Sequence, residues 1–200
     1  ETSATTMSDF AADEDYPWCV GQFVTYIPKD KFFLYRSVWN EDKPTLHVLP
    51  HWNWKGREGQ NIPVYVYTSY PSAELVVNGK SHGVRNRSKE PGAERFCMTW
   101  DDVTYRPGEL KVIAYDENGA KAMTRTVRTA EKATALRLTP DKDIMDADGE
   151  DLCFINVSVT DDNGNPVPND DRLINVKVSG AGSFKGMANG SPTSPEPFHK

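Results

Sequence analysis

The sequence predicts a mainly β protein made of two β-sandwich units in tandem, and three observations predict it. Segments with two-residue alternation recur through the middle of the chain, the clearest being Pro63-Val64-Tyr65-Val66-Tyr67-Thr68, in which every second side chain falls on one face of a pleated strand. The dipeptides Asn78-Gly79 and Asn118-Gly119 tolerate positive φ and stand where two-residue hairpin turns are needed. The 200 residues include 14 Gly, 14 Pro and 38% hydrophobic residues, a balance that suits loop-rich β units with a core in each.

The elements follow in order. Residues 6–15 are acidic and irregular, and Tyr16 to Val24 ends in a short apolar run compatible with a buried strand. Phe32 to Trp39 is aromatic and reads either as a helical turn or as a strand. After Pro44, strands are expected at 45–49, 62–69, 73–77, 95–100, 108–115 and 121–128. Phe96, Met98 and Trp100 would share one face, and so would Leu110, Val112 and Ala114; two packed antiparallel sheets follow from that pattern. Tyr105, set before the Pro107-Gly108 turn, resembles the sandwich corner in which a phenol bonds to backbone. Past a polar connector at 129–134, further strands are expected at 135–138, 152–160 and 173–179, with dense turn chemistry at 161–168. Only about half to two-thirds of a ~100-residue sandwich fits after Thr134. The second unit is therefore expected to be truncated, with a sheet edge unpaired.

Composition narrows the function classes. The net charge of −6 is spread along the chain, and no basic run interleaved with aromatics gives the footprint of a nucleic-acid binder. No stretch approaches the ~20 apolar residues that cross a bilayer, so membrane insertion is not expected. The Glu1-Thr2-Ser3-Ala4 start carries neither an initiator Met nor the features of a signal peptide, and the chain reads as a piece of something longer. Cys19, Cys97 and Cys153 are odd in number and far apart, which favours buried free thiols over a disulfide framework or metal knuckle. His47, His51, His82 and His199 have no ligand-like spacing. Asp161-Asp162-Asn163-Gly164 resembles a calcium loop but lacks the downstream bidentate glutamate, so it is read as a turn and no metal is expected.

Leu49-Pro50-His51-Trp52-Asn53-Trp54 admits two readings. Trp52 and Trp54 could stack on the C–H face of a pyranose as a substrate-binding platform. The preferred reading makes them packing anchors at a domain interface, because large aromatics dominate core and interface energetics, in which case Trp54→Ala would cost about 3–5 kcal/mol.

The same residues carry a family resemblance. LPHWNW, the Glu58-Gly59 pair after it, IPVYVYT and ELVVNGKSHG, with IPKDKFFLYRSVWNEDKPTLHVLP upstream, resemble the domain that follows the catalytic barrel in glycoside hydrolase family 2 enzymes of the β-galactosidase type. The match spans roughly residues 27–128. PWCVGQFV is similar to the last part of that (β/α)8 barrel, although the Trp-Thr-Gly and long loop that the family places next are absent at Val24 to Ile27. ADGEDLCFINVSVTDDNGNPVP is similar to bacterial immunoglobulin-like domains. The resemblance thus implies a remnant of the barrel end and linker at 1–40, an immunoglobulin-like β-sandwich at 41–130 and a partial bacterial immunoglobulin-like domain at 131–200. It favours a helix ending near Trp39.

Glu1-Thr2-Ser3-Ala4 looks like the family motif whose glutamate is the nucleophile, which would make Glu1 catalytic; an arbitrary cut beside a solvated glutamate is the alternative. A retaining glycosidase needs a second carboxyl about 5–5.5 Å from the first. The family carries that acid/base on an Asn-Glu motif in the upstream barrel, so the isolated chain is expected to be inactive. The resemblance implies the non-catalytic C-terminal part of a retaining β-galactosidase-like hydrolase, an oligosaccharide or polysaccharide substrate bound through the parent enzyme, no organic cofactor, and a periplasmic or extracellular location. The rival reading is a carbohydrate-binding or adhesin-like module in which Trp52, Trp54 and Tyr65 contact glycan directly.

Overall fold

Backbone polar groups must be paired wherever water is excluded, and here antiparallel ladders do most of that pairing. The computed structural model describes residues 28–189. Glu1, Cys19, the PWCVGQFV segment and the junction at Val24 to Ile27 lie outside the described residues.

Among the described residues one α-helix forms, α1 (Asp30–Trp39), with Asp30 in its first turn and Arg36 in its last, the charge order that suits the helix dipole. Asn40 N–H donates to Arg36 O at 3.2 Å, and the chain then turns into β1 (Leu46–Leu49). The helix is fixed to that strand at both ends. Asp30 Oδ1 lies 2.7 Å from His47 Nε2, Phe33 stacks on the His47 ring at 4.0 Å, and Arg36 Nε donates to Thr45 Oγ1 at 2.9 Å.

β1, β2 (Val64–Thr68) and β5 (Met98–Trp100) form one antiparallel sheet in the order β1-β2-β5. Its register sets Val48 opposite Val66 and Val66 opposite Met98, a row of buried side chains across the sheet. The second sheet orders β4 (Lys80–Asn86), β3 (Ser72–Val77), β6 (Glu109–Tyr115) and β7 (Lys121–Arg128) as β4-β3-β6-β7. There Leu75 faces Val112 and Ala73 faces Ala114. The alternate residues of β2, β3 and β6 are buried. Those of both sheets merge into a single apolar cluster, with Val64, Val66 and Trp100 from one sheet and Leu75, Leu110 and Val112 from the other fully enclosed. This is two-sheet packing around one core, as alternation predicts.

The described residues divide into two compact units, Asp30–Thr139 with Val157–Asp170 as one, and Pro140–Asn156 with residues 171–189 as the other. Within the first, Asp161 is 2% exposed and its carboxylate accepts from Glu131 N, Asn163 N, Asn165 N and Asn165 Nδ2 at 2.7–3.0 Å. These donors, led by the Glu131 amide, hold its pKa below the usual carboxylate value. Their contribution to stability is present above the ordinary carboxylate range and fades as pH falls through it. Asp161 is thus a structural turn residue with every oxygen satisfied. In the other unit Asp151 accepts from Lys142 Nζ and from Asp146 N, and Asp148 Oδ1 accepts from Glu150 N and Asp151 N at 2.8–2.9 Å.

Seven expected strands and the helix form close to their predicted limits, and the departures have physical causes. The strand expected at 95–100 is confined to Met98–Trp100, because Ala93–Arg95 winds into a 3-10 turn. Phe96 therefore leaves the buried face and is 40% exposed. β4 was not anticipated as a strand: Lys80-Ser81-His82-Gly83-Val84-Arg85-Asn86 is an edge, mostly exposed along its length, and lacks alternation because neither face is buried. After Thr134, β8 (Ala135–Pro140) and β9 (Ile155–Thr160) pair as a two-stranded sheet. Residues 173–179 form no strand. Their pattern is right but a strand needs a ladder partner, and Leu173 is left 79% exposed.

The β3–β4 hairpin turns on Asn78 (φ 48°) and Gly79 (φ 81°), the two positive-φ positions of a type I′ turn. Asn78 also reaches across to the next corner, accepting from Glu109 N at 2.7 Å and donating to Pro107 O at 3.2 Å. Gly108 sits under it with φ 139°, and a Cβ there would lie 2.0 Å from Asn78 Oδ1. Gly108→Ala should destabilise the protein by about 2 kcal/mol. Gly182→Ala, where an added Cβ meets nothing, should change stability by less than ~0.5 kcal/mol. Urea unfolding of the two variants checks this; equal effects would contradict it.

Candidate functional site

The connection from β1 to β2 begins with the cis Leu49-Pro50 bond and carries Trp52 and Trp54, two of the three aromatics named as possible glycan contacts; the third, Tyr65, lies in β2. Trp52 is 0% exposed. Its Nε1 donates to Arg106 O at 3.1 Å, and its ring meets Tyr105 edge-on at 5.1 Å and 75°, a favoured aromatic geometry. Thr129 Oγ1 donates to Trp52 O. Every side of this residue is taken up by packing.

Tyr105, 1% exposed, is the other half of the anchor. Its N–H donates to Gln60 O at 2.8 Å and its carbonyl accepts from Gly59 N at 2.9 Å. Its phenol oxygen accepts from Trp54 N at 3.2 Å. The phenol-to-backbone bond expected of this tyrosine is present, and it ties down the tryptophan turn 51 residues upstream. Asn53 is equally engaged: its Oδ1 accepts from Ala130 N at 2.7 Å and its carbonyl from Asn169 Nδ2 at 3.1 Å.

Trp54 differs from Trp52. It is half-buried, stacked on His51 at 4.6 Å and 25°, with the Arg57 guanidinium 5.2 Å from its ring centre. Its Nε1 is enclosed without a hydrogen-bond partner. His51 Nδ1 accepts from Asn53 N at 3.2 Å, which requires the neutral ring. Burial lowers the His51 pKa from its ordinary value. That contribution is present above the ordinary histidine pKa and is lost as pH falls below it. Tyr65 is half-buried in β2, opposite Leu49 and Thr99, on the face turned away from the core.

Glu1 lies outside the described residues. The sequence contains one Asn-Glu dipeptide, Asn40-Glu41, exposed immediately after α1, with Asn40 Oδ1 accepting from Lys43 N at 2.8 Å. Cys97 and Cys153 are free, half-buried thiols, and burial pushes the Cys97 pKa up. Among the described residues, no three His, Cys, Asp or Glu side chains are placed to hold a metal ion, and no helix is long and apolar enough to cross a membrane. Sequence reasoning missed the roles of Thr129, Ala130 and Asn169, loop residues that act through a hydroxyl, a backbone amide and a side-chain amide and carry no local signal.

Comparison with known proteins places this geometry in a lineage. Residues 59–123 match a family model described as a domain of unknown function, DUF4982. Residues 136–200 match the model of glycoside hydrolase family 2 C-terminal domain 5. A β-galactosidase of Bacteroides ovatus is 43% identical over 172 residues, covering 86% of this chain and 19% of that protein. A β-glucuronidase of Formosa agariphila is 30% identical over 173 residues, covering 84% and 17%. The crystal structure of a β-glycosidase from Bacteroides vulgatus superposes with a TM-score of 0.64 at 34% identity, covering 72% of this chain and 18% of that one. The chain spans about a fifth of the length of the curated relatives it matches.

The two tryptophans should separate energetically. Trp52→Ala should cost about 3–5 kcal/mol, the range for deleting an enclosed aromatic. Trp54→Ala should cost less than the about 3–5 kcal/mol that the sequence alone suggests for an anchor, because its ring is only partly buried at the margin of the core. Urea unfolding of both variants tests this ordering, and a Trp54→Ala cost equal to or above that of Trp52→Ala would overturn it.

Proposed function

Because the chain belongs to glycoside hydrolase family 2, we propose that it is the non-catalytic C-terminal part of a retaining β-galactosidase-like hydrolase acting on terminal β-linked sugars. The observation that carries this reading is the tryptophan turn. Trp52 and Tyr105 bury each other, and Asn53 is committed to backbone on both sides. The most conspicuous motif of the sandwich is thus devoted to building a rigid end to the domain. A family 2 glycosidase parent accounts for such a rigid appendage better than a free-standing glycan binder does, since a binder would present both indoles to solvent. The 43% identity to a β-galactosidase, against 30% to a β-glucuronidase, favours the galactoside among β-linked substrates.

In this reading Glu1 is the nucleophile of the parent site, and the acid/base carboxyl comes from chain upstream of it. One carboxylate cannot both attack the anomeric carbon and protonate the leaving oxygen. Trp54, whose stacked ring keeps some exposure, is the residue of the pair available to a sugar. The substrate is an oligosaccharide or polysaccharide met in the periplasm or outside the cell.

The test compares the 200-residue chain with its full-length parent on chromogenic β-galactoside and β-glucuronide. The chain alone should give no turnover, the parent should prefer the galactoside, and Glu1→Gln in the parent should lower kcat by a factor on the order of a thousand or more. Turnover by the chain alone, preference for the glucuronide, or full activity of Glu1→Gln would each overturn the corresponding part of the reading.

A further inference from the structure

A separate concavity lies on the sandwich unit. It has a volume of about 350 Å³ and is lined by Val38, Arg87, Ser88, Lys89, Arg95 and Phe96. Three parts of the chain meet there: Val38 lies in the last turn of α1, residues 87–89 follow β4, and Arg95 and Phe96 precede β5. The loop between β4 and β5 is closed by its own backbone and a hydroxyl, with Ser88 N donating to Glu94 O at 3.3 Å and Glu90 N donating to Ser88 Oγ at 3.1 Å. That closure leaves the cations to line the hollow.

The charge balance of the cleft is one-sided. Among the described residues none of Arg87, Lys89 and Arg95 forms an ion pair with a carboxylate. Arg87 is the most constrained of them, donating to the neutral carbonyls of Thr68 and Ser37. Burial lowers its pKa, as expected for a guanidinium desolvated without a counter-charge. Arg95 lies 5.7 Å from the Phe96 ring centre. Phe96 and Val38, 40% and 38% exposed, supply apolar surface between the cations.

These features specify a ligand. A carboxylate matches the planar fork of arginine in two parallel hydrogen bonds and relieves the uncompensated charge. The C–H face of a sugar ring matches the phenyl and isopropyl surfaces, and Ser88 and Lys89 can meet ring hydroxyls. The volume is at the lower end of the range for small-molecule sites, enough for one or two pyranose rings and too little for a folded peptide segment. We propose that this cleft is a binding site for an acidic saccharide, a uronate held through its carboxylate by Arg87, Lys89 and Arg95 with its ring against Phe96 and Val38. The proposal is independent of the hydrolytic reading of the parent, since it concerns binding on the sandwich and no bond is broken.

Calorimetric titration of the 200-residue chain with methyl β-glucuronide tests it, with methyl β-glucoside as the uncharged counterpart and a glutamate-rich peptide as the competing class. Saturable glucuronide binding is expected, weakening as salt is raised, with no response to the glucoside. Lys89→Ala/Arg95→Ala should weaken it at least about tenfold; these two side chains make no bond across the sandwich, so the thermal midpoint should stay in place. A conservative Phe96→Leu variant should weaken binding less. Absence of glucuronide binding, equal binding of acetate, undiminished binding by the double variant, or binding of the acidic peptide in place of the glucuronide would each overturn the proposal.

Discussion

The mutual burial of Trp52 and Tyr105 is the interaction on which the rest of this structure depends. A two-sheet sandwich is open at its ends, and apolar side chains there must be covered by connections that have their own backbone groups to satisfy. Here one long connection, from β1 to β2, inserts an indole into the open end, and another, from β5 to β6, supplies the phenol beneath it. The polar atoms of both rings are consumed in the process: Trp52 Nε1 reaches Arg106 O and Tyr105 Oη receives Trp54 N. The two loops thereby share one set of hydrogen bonds, completed by Gly59 and Gln60 on the Tyr105 backbone. Neither loop keeps its shape without the other.

That mutual dependence extends along the chain. Thr129 and Ala130, just beyond β7, bond to Trp52 and Asn53, so the exit of the sandwich is pinned to the same turn as its closure. Glu131 then donates its amide to the buried Asp161, which organises the turn after β9. At the entrance, α1 is pinned separately, by Asp30 and Phe33 on His47 and by Arg36 on Thr45. The sandwich unit is therefore tied at both its entry and its exit by polar contacts to loops, while its centre is held by aliphatic packing.

The legible part of the fold was the part with period 2. Val64 to Thr68, Leu75 to Val77 and Leu110 to Ala114 alternate because one face is buried, and Asn78-Gly79 marked the hairpin because few other dipeptides adopt its backbone. β4 was hidden for the converse reason: an exposed edge places no demand on its side chains. Residues 173–179 misled because alternation reports a capacity for pairing, and the partner is a separate requirement. Within the tryptophan turn, two identical residue types two positions apart met different fates, Trp52 enclosed and Trp54 only partly buried. No local signal distinguishes them, since the choice is made by Tyr105 from a distant segment. The basic cleft was likewise invisible in sequence, because Val38, Arg87 and Arg95 are neighbours only once α1 and the β4–β5 loop are in place.

A double-mutant cycle between Trp52→Phe and Tyr105→Phe tests the central claim most directly. If the indole and the phenol form one closure, the two variants should be coupled by about 0.5–1.5 kcal/mol in urea unfolding, with the loss from either one reduced once the other has been made. Additivity within ~0.3 kcal/mol would mean that the two loops are secured independently, and the closure described here would not be what holds this end of the sandwich.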